Sequence, residues 1–215
     1  FGAGLVSLGA NPGEHIGLIA DNRKEWLVSS VGIMSAGCCD IPRGSEATVK
    51  DLSYILSFAG CRIIVVENSS SYGKIVECRS ELKDLEHIVV IDKKNVDTEA
   101  AGVEVLSYDE VISLGKEYRN LNPGKIEETV KNGKEDDTAT IIFTSGTTGT
   151  PKGVELLHKN FMCQIEGISE TLNLKPGDKT LCVLPVWHVY EREMEYYYMA
   201  NEIAMCYTKP VPSMI

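Results

Sequence analysis

The chain has 215 residues, of which 43% are hydrophobic and 24% charged, and its formal net charge is −10 with a pI near 4.9. This composition is typical of a globular protein and excludes collagen-like, low-complexity and disordered chains. The acidic charge disfavours nucleic-acid binding, which depends on clustered Lys and Arg residues.

Short apolar strands alternate with helices over the first ninety residues. Strands are predicted over 16–20, 38–41, 63–66 and 88–91, with the second strand stopped by Pro42. Helices are predicted over 25–36, capped by Asp21 or Asn22, over 48–58 and over 71–82. Apolar runs without alternation indicate strands that are covered on both faces. Their alternation with helices predicts a doubly wound α/β fold with a parallel sheet.

The second half of the chain is less regular. A strand is predicted over 103–106, a helix over 108–118 and an exposed charged connection over 125–137. A strand over 139–143 leads into a polar loop, and it is followed by a helix over 158–174, a strand over 180–184 and a helix over 189–200. We therefore divide the chain into a first α/β part, 1–135, and a second part, 136–215, that contains the polar loop.

Cysteine usage and hydropathy bear on the compartment. The seven cysteines are scattered without a C-x-x-C pair, and most have apolar neighbours, where a free cysteine packs as a small hydrophobe. No apolar run reaches the roughly 18–20 residues of a membrane span, and no signal peptide is evident. These features predict a reducing, cytoplasmic location. The first residue is Phe1, so we expect this sequence to be a piece of a longer protein.

The polar loop from Thr144 to Gly153 combines hydroxyl residues and glycines with Lys152. Glycines let backbone N–H groups approach an anion, and a lysine suits phosphate, so the pattern predicts a phosphate site at a strand end. A flexible surface loop is the alternative. A Walker A loop is disfavoured, because Pro151 and Gly153 stand at two of its four fixed positions.

This segment resembles the phosphate-loop signature of the adenylate-forming enzymes, most of all the long-chain acyl-CoA synthetases. Three further segments share the resemblance, and together they extend it over nearly the whole chain: residues 11–26, Cys38 to Arg43, and Leu184-Pro185-Val186-Trp187-His188-Val189-Tyr190-Glu191-Arg192. The resemblance implies the α/β N-terminal domain of such an enzyme, truncated here, with the mobile C-terminal domain outside this sequence.

Enzymes of this family activate a carboxylic acid with ATP and Mg²⁺ and pass the acyl group to coenzyme A. The resemblance to long-chain acyl-CoA synthetases implies that the acid is a long-chain fatty acid. By resemblance, Lys152 and His188 are the catalytic residues, with His188 beside the substrate carboxylate and the α-phosphate. The residues implied in binding the β- and γ-phosphates are Thr144, Ser145, Gly146, Thr147, Thr148, Gly149 and Lys152. No magnesium ligand is assigned, because the family's Mg²⁺-binding Glu falls outside this sequence.

Residues around His188 have structural interpretations as well. A lone histidine between Trp187 and Val189 is often a core histidine, and the surrounding motif favours the catalytic role instead. We interpret Glu191 and Arg192 as structural, forming an ion pair at the start of a helix. Trp187 and Tyr190 either line an acyl tunnel or pack in the core.

Other functions stay open at this stage. The enzyme could activate an aryl or amino acid, or the chain could be a non-catalytic nucleotide-binding module. Half an active site is not expected to turn over, so residues 1–215 alone are predicted to be inactive. A fatty-acid substrate makes peripheral membrane contact a further expectation, and the sequence indicates no oligomeric state.

Overall fold

The computed structural model describes residues 1–144 and 150–208. Its helices, numbered in chain order, are α1 (Gly2–Ser7), α2 (Lys24–Ser35), α3 (Val49–Phe58), α4 (Ser69–Glu77), α5 (Tyr108–Leu121), α6 (Lys125–Asn132), α7 (His158–Thr171) and α8 (Val189–Ala200). Its strands are β1 (His15–Ile19), β2 (Cys39–Arg43), β3 (Ile63–Val66), β4 (His87–Val90), β5 (Glu104–Ser107), β6 (Thr138–Thr144), β7 (Lys152–Leu157), β8 (Lys179–Cys182) and β9 (Ala204–Tyr207).

Seven strands form the main sheet in the order β5-β4-β3-β1-β2-β6-β7. All neighbours are parallel except β6 and β7, which form an antiparallel hairpin. The predicted mostly parallel α/β fold is confirmed. The strand β7 was not predicted, and it places part of the polar loop inside the sheet.

Helices cover both faces of this sheet, as the uninterrupted apolar strands require. On one face, Ile64 and Val66 of β3 belong to a core that includes Leu52 and Ile55 of α3. On the other face, Ile63 of the same strand joins a core built with α1, α2 and α5. Successive side chains of β3 therefore enter opposite cores, which is the period of two expected for a strand.

The predicted end of β2 was wrong, because the strand continues through Pro42 to Arg43. The backbone N–H of Cys39 donates to the Glu14 carbonyl, and the Arg43 carbonyl accepts from the Ala20 N–H. The backbone groups of these alternate residues of β2 therefore point toward β1 and not toward β6. Pro42 therefore faces β6, where pairing with β2 is confined to Asp40 and Thr140. The missing N–H of proline costs no hydrogen bond to β1.

Two helix predictions also need correction. The helix predicted over 71–82 is α4, which begins at Ser69. It begins there because Asn68 Oδ1 accepts hydrogen bonds from Ser70 N and Ser71 N. A separate 3₁₀ turn follows it over Arg79–Glu81. The charged connection predicted over 125–137 contains α6, none of whose residues is buried.

The last third of the described chain adds a small layer. The strands β8 and β9 form a parallel two-stranded sheet, of which β9 was not predicted. Phe161 of α7 and Tyr196 of α8 pack with Leu27 of α2 and Ala139 of β6 in a third apolar cluster. This cluster joins α7 and α8 to the main sheet. Within the described residues, no helix combines the length and apolar character that crossing a membrane requires.

Candidate active site

The carboxyl ends of neighbouring parallel strands form one edge of the main sheet. The strands β1, β2 and β6 run side by side in the same direction, so the loops that follow them leave from a common edge. Open α/β sheets bind ligands in the crevice at this edge. Two segments singled out from the sequence lie here, namely the β6–β7 hairpin and the loop that precedes α8.

The hairpin places two of the predicted phosphate-binding residues opposite each other. Thr144 ends β6, Lys152 begins β7, and the two are direct partners in the antiparallel pairing. Side chains of directly paired residues project from the same face of a sheet, and both of these are exposed. The other predicted loop residues lie outside the described part of the chain: Ser145, Gly146, Thr147, Thr148 and Gly149.

A glycine next to Lys152 lets the hairpin close tightly. Gly153 pairs with Phe143, and a Cβ atom added at Gly153 would lie 2.8 Å from Ile141 Cγ2 and 3.3 Å from the Phe143 ring. The buried Phe143 ring therefore packs against β7 backbone that carries no side chain. Gly153 therefore allows the Phe143 ring to pack against β7 next to Lys152.

The loop before α8 is held to the sheet by Asn22. The side chain of Asn22 donates from Nδ2 to the Leu184 carbonyl at 2.6 Å and accepts at Oδ1 from Val186 N at 2.9 Å. The predicted capping of α2 by Asp21 or Asn22 was wrong, because the residue that precedes α2 is Arg23. Since Asn22 follows β1, these two hydrogen bonds fix the loop at the carboxyl edge.

The same loop presents His188 at the start of a helix. His188 is exposed, directly precedes the first residue of α8, and donates from its backbone N–H to the Pro185 carbonyl at 2.9 Å. It is therefore not a core histidine among the described residues. The first N–H groups of a helix carry partial positive charge, so this position favours an anion.

Arg43 connects the hairpin to the His188 loop. Its Nη1 donates to the Phe143 carbonyl at 3.2 Å, and its guanidinium carbon lies 5.6 Å from the ring centroid of Trp187. Phe143 and Trp187 are the chain neighbours of Thr144 and His188. Arg43 thus bridges the two candidate segments, a role that no local sequence pattern indicated.

Trp187 approaches the backbone where β2 ends. A Cβ atom added at Gly44 would lie 2.3 Å from Trp187 Nε1, so glycine is required for this contact. Trp187 is half-buried, and Tyr190 is 60% exposed. Tyr190 is therefore not a core residue in this structure.

Beneath the loop, a buried ion pair ties α8 to the main sheet. Arg192 and Asp40 are fully buried, and the guanidinium donates to Asp40 Oδ1 at 2.9 Å and Oδ2 at 2.5 Å. Ser30, Thr140 and Tyr196 complete the hydrogen bonds of the guanidinium. Burial acts to lower the pKa of Arg192, but Asp40 and Tyr196 together outweigh it, and the pKa lies above its ordinary value.

The structural interpretation of Arg192 therefore holds, but its expected partner was wrong. Arg192 pairs with Asp40 of β2 rather than with Glu191, its neighbour on α8. The helix position decides this, since adjacent residues on a helix point in different directions. Arg192 lies one turn after His188, so the ion pair fixes the start of α8 over β2 and β6.

The described residues near this edge suit phosphate better than magnesium. Mg²⁺ prefers carboxylate and water oxygens. Asp21 is occupied by Ser45, and Glu67 accepts from Asp21 N at 2.9 Å and lies 3.6 Å from Arg23. These two carboxylates have partners already, so we assign no magnesium ligand to them.

The mostly parallel sheet, its two helical layers and the hairpin at its carboxyl edge define the fold of the N-terminal domain of adenylate-forming enzymes. A sequence profile described as AMP-binding enzyme matches residues 1–214, and the chain belongs to this family. The resemblance found in the sequence is thereby confirmed.

Individual relatives agree with this assignment. Over 213 residues, the chain is 38% identical to a long-chain-fatty-acid–[acyl-carrier-protein] ligase, AEE15, chloroplastic, from Arabidopsis thaliana, with 97% of this chain and 29% of the relative covered. It is 32% identical over 211 residues to long chain acyl-CoA synthetase 6, peroxisomal, from the same plant, with 96% and 28% covered. The chain thus spans about three tenths of these relatives.

A solved structure shows the same fold. The N-terminal domain of FACL13 from Mycobacterium tuberculosis superposes with a TM-score of 0.74 at 19% identity, covering 98% of this chain and 48% of that one. At this identity the likeness concerns the fold alone.

Proposed function

We propose that the intact protein is an ATP-dependent ligase that joins a long-chain fatty acid to a thiol. A carboxylate oxygen of the acid attacks the α-phosphorus of ATP, and pyrophosphate leaves. The thiol of coenzyme A then attacks the acyl carbon, and AMP leaves. The observation that carries the proposal is the pairing of Thr144 with Lys152 at the loop end of the hairpin, in a chain of the AMP-binding family.

The residues at this edge take different roles in the proposed reaction, according to their positions. Lys152 and Thr144, with Ser145, Gly146, Thr147, Thr148 and Gly149, hold the β- and γ-phosphates. His188 lies beside the substrate carboxylate and the α-phosphate, where the N-terminus of α8 also favours negative charge. Mg²⁺ neutralises phosphate charge when bound, and its protein ligands are not among the residues assigned here.

A second thiol acceptor is supported by the relatives. The relative named as an acyl-carrier-protein ligase is 38% identical to this chain, and the one named as an acyl-CoA synthetase is 32% identical. Acyl-carrier protein therefore stands beside coenzyme A as a candidate acceptor. Activation of an aryl or amino acid is the alternative within the family, and a non-catalytic nucleotide-binding module is the alternative outside enzyme function.

The share of its relatives that this chain spans bears on whether the chain is active in isolation. Because residues 1–215 span about three tenths of the relatives, we propose that they do not form acyl-adenylate by themselves. A cytoplasmic location and peripheral membrane contact stay predictions.

Pyrophosphate release by the intact protein tests the proposed function. The purified protein is given ATP, Mg²⁺ and one acid from a panel of acetate, octanoate, palmitate, coumarate and amino acids, with coenzyme A, with acyl-carrier protein or with neither. We expect release to be greatest with palmitate and product to form with one of the two thiols. A maximum with coumarate or an amino acid would assign another substrate class, and no release with any acid would favour the non-catalytic module.

Arg43→Met should weaken both catalysis and stability. The change removes the hydrogen bond to Phe143 and the contact with Trp187, so the hairpin and the His188 loop lose their bridge. We expect kcat/KM for pyrophosphate release to fall about tenfold, because small misplacements of reacting groups are costly. The apparent unfolding free energy should fall by about 1–2 kcal/mol.

Arg62→Met is the matched control for this change. Arg62 precedes β3 at the opposite, amino end of the strands and pairs with Glu14 and Glu86, each at 2.7 Å. Its loss should leave kcat/KM unchanged. Equal loss of activity in both variants would show that Arg43 acts only through general stability.

A further inference from the structure

Two carboxylates and a thiol meet in a buried cluster that the proposed reaction does not use. Glu191 and Glu195 lie four residues apart on α8, so their side chains share one face of the helix, and Cys182 ends β8. One ligand atom from each lies within 4.8 Å of the others. The exposed fractions are 6% for Glu191, 0% for Glu195 and 1% for Cys182.

Among the described residues, no cationic side chain forms an ion pair with the two carboxylates of the cluster. Oε2 of Glu195 accepts a hydrogen bond from the Tyr207 hydroxyl at 3.2 Å, but Oε1 is buried without a hydrogen-bond partner among the described residues. The nearby guanidinium of Arg192 is occupied by Asp40. A buried polar atom without a partner costs about 1–3 kcal/mol, and more where the group is charged.

Burial already opposes the charged forms here. It raises the pKa of Glu195 to about 7, and it also raises the pKa of Glu191 and of the Cys182 thiol. A bound divalent cation would favour the charged forms of these groups against burial, and it would give the Glu195 carboxylate a partner.

We propose that Cys182, Glu191 and Glu195 bind one divalent cation of the zinc class, with Tyr207 orienting the Glu195 carboxylate. A thiolate with carboxylates suits Zn²⁺, whereas Mg²⁺ prefers oxygen ligands alone. Ligand atoms of a tetrahedral zinc site lie about 3.5 Å apart, so small side-chain rotations would close the cluster. Binding displaces the thiol proton, and the proton of Glu195 where that carboxyl is protonated, to solvent.

This ion would be structural rather than catalytic. It would join β8 to α8 and, through Tyr207, to β9. Since α8 begins directly after His188, the site would stiffen the helix that presents the histidine. It is separate from the Mg²⁺ that accompanies ATP in the proposed reaction.

Cobalt binding tests the proposal, because a thiolate bound to Co²⁺ absorbs in the near ultraviolet. The intact protein is stripped with a chelator and titrated with Co²⁺ alone, and Zn²⁺ is then added as a competitor. We expect the thiolate band to saturate at one equivalent and to disappear with Zn²⁺. Cys182→Ser should abolish the band, and Glu195→Gln should weaken binding at least tenfold.

Cys206→Ser is the matched control, because Cys206 is an exposed thiol on β9 beside Tyr207. It should keep the band and the affinity of the unsubstituted protein. Circular dichroism checks folding, and the isosteric Glu195→Gln decides the matter if Cys182→Ser does not fold. No thiolate band in the unsubstituted protein, or unchanged binding in the folded variants, would overturn the proposal. None of these readouts requires ligase activity.

Discussion

Arg192→Met is expected to lower the free energy of unfolding by about 3–5 kcal/mol, because it leaves the Asp40 carboxylate buried without its cation. Domains are stable by only about 5–15 kcal/mol, so this is a large fraction of the total. Urea unfolding of the intact protein measures the change. Tryptophan fluorescence suits the experiment, since the Arg192 guanidinium carbon lies 5.3 Å from the Trp26 ring centroid. A lower midpoint at constant slope is the expected result.

Two further variants separate the ion pair from a general effect of losing an arginine. Arg119→Met breaks an exposed pair with Glu127 and should cost no more than about 1 kcal/mol. Adding Asp40→Leu to Arg192→Met removes the stranded charge, so the double variant should be more stable than Arg192→Met alone. If Arg192→Met and Arg119→Met lose equal stability, the buried pair is not the anchor of α8.

The central strands could be predicted from sequence because their composition leaves few alternatives. Residues 63–66 are apolar and β-branched, and they form β3 with the predicted bounds. The strand β7 lacks such a run: it begins with Lys152 and is exposed over its first four residues. Its place in the sheet depends on pairing with β6. The helix α6 has only eight residues, and Ile126 and Val130 are its only apolar ones, so its charged residues dominate the sequence pattern.

The candidate site likewise has residues that the sequence identifies and contacts that only the fold reveals. Thr144 and Lys152 belong to a local pattern, and the sequence places them at a strand end. The contacts of Asn22 with Leu184 and of Asp40 with Arg192 join residues 162 and 152 positions apart. An aspartate at position 40 within an apolar strand indicates that the carboxylate needs a partner, but it does not say which one. Only the fold identifies Arg192.

Lys152→Ala is expected to reduce kcat/KM for pyrophosphate release by about 100-fold, the effect of removing one preorganised group that stabilises charge in the transition state. The lysine is exposed at the loop end of the hairpin, so stability should change little. Steady-state kinetics of the intact protein with varied ATP measure the loss. If Lys152 holds phosphate charge, the KM for ATP should rise as well.

Lys159→Ala provides the matched control at the other end of the same hairpin. Lys159 lies in the first turn of α7, directly after β7, and pairs with Asp136 at 2.5 Å. The strand β7, which begins at Lys152, spans about 17 Å at 3.3–3.4 Å per residue and separates the two lysines. Both changes remove one exposed lysine, so they alter the net charge of the protein equally. A loss confined to Lys152→Ala therefore identifies a local contact with the nucleotide. Equal losses would indicate long-range attraction of ATP by the protein's charge, and raised salt would then weaken both effects together.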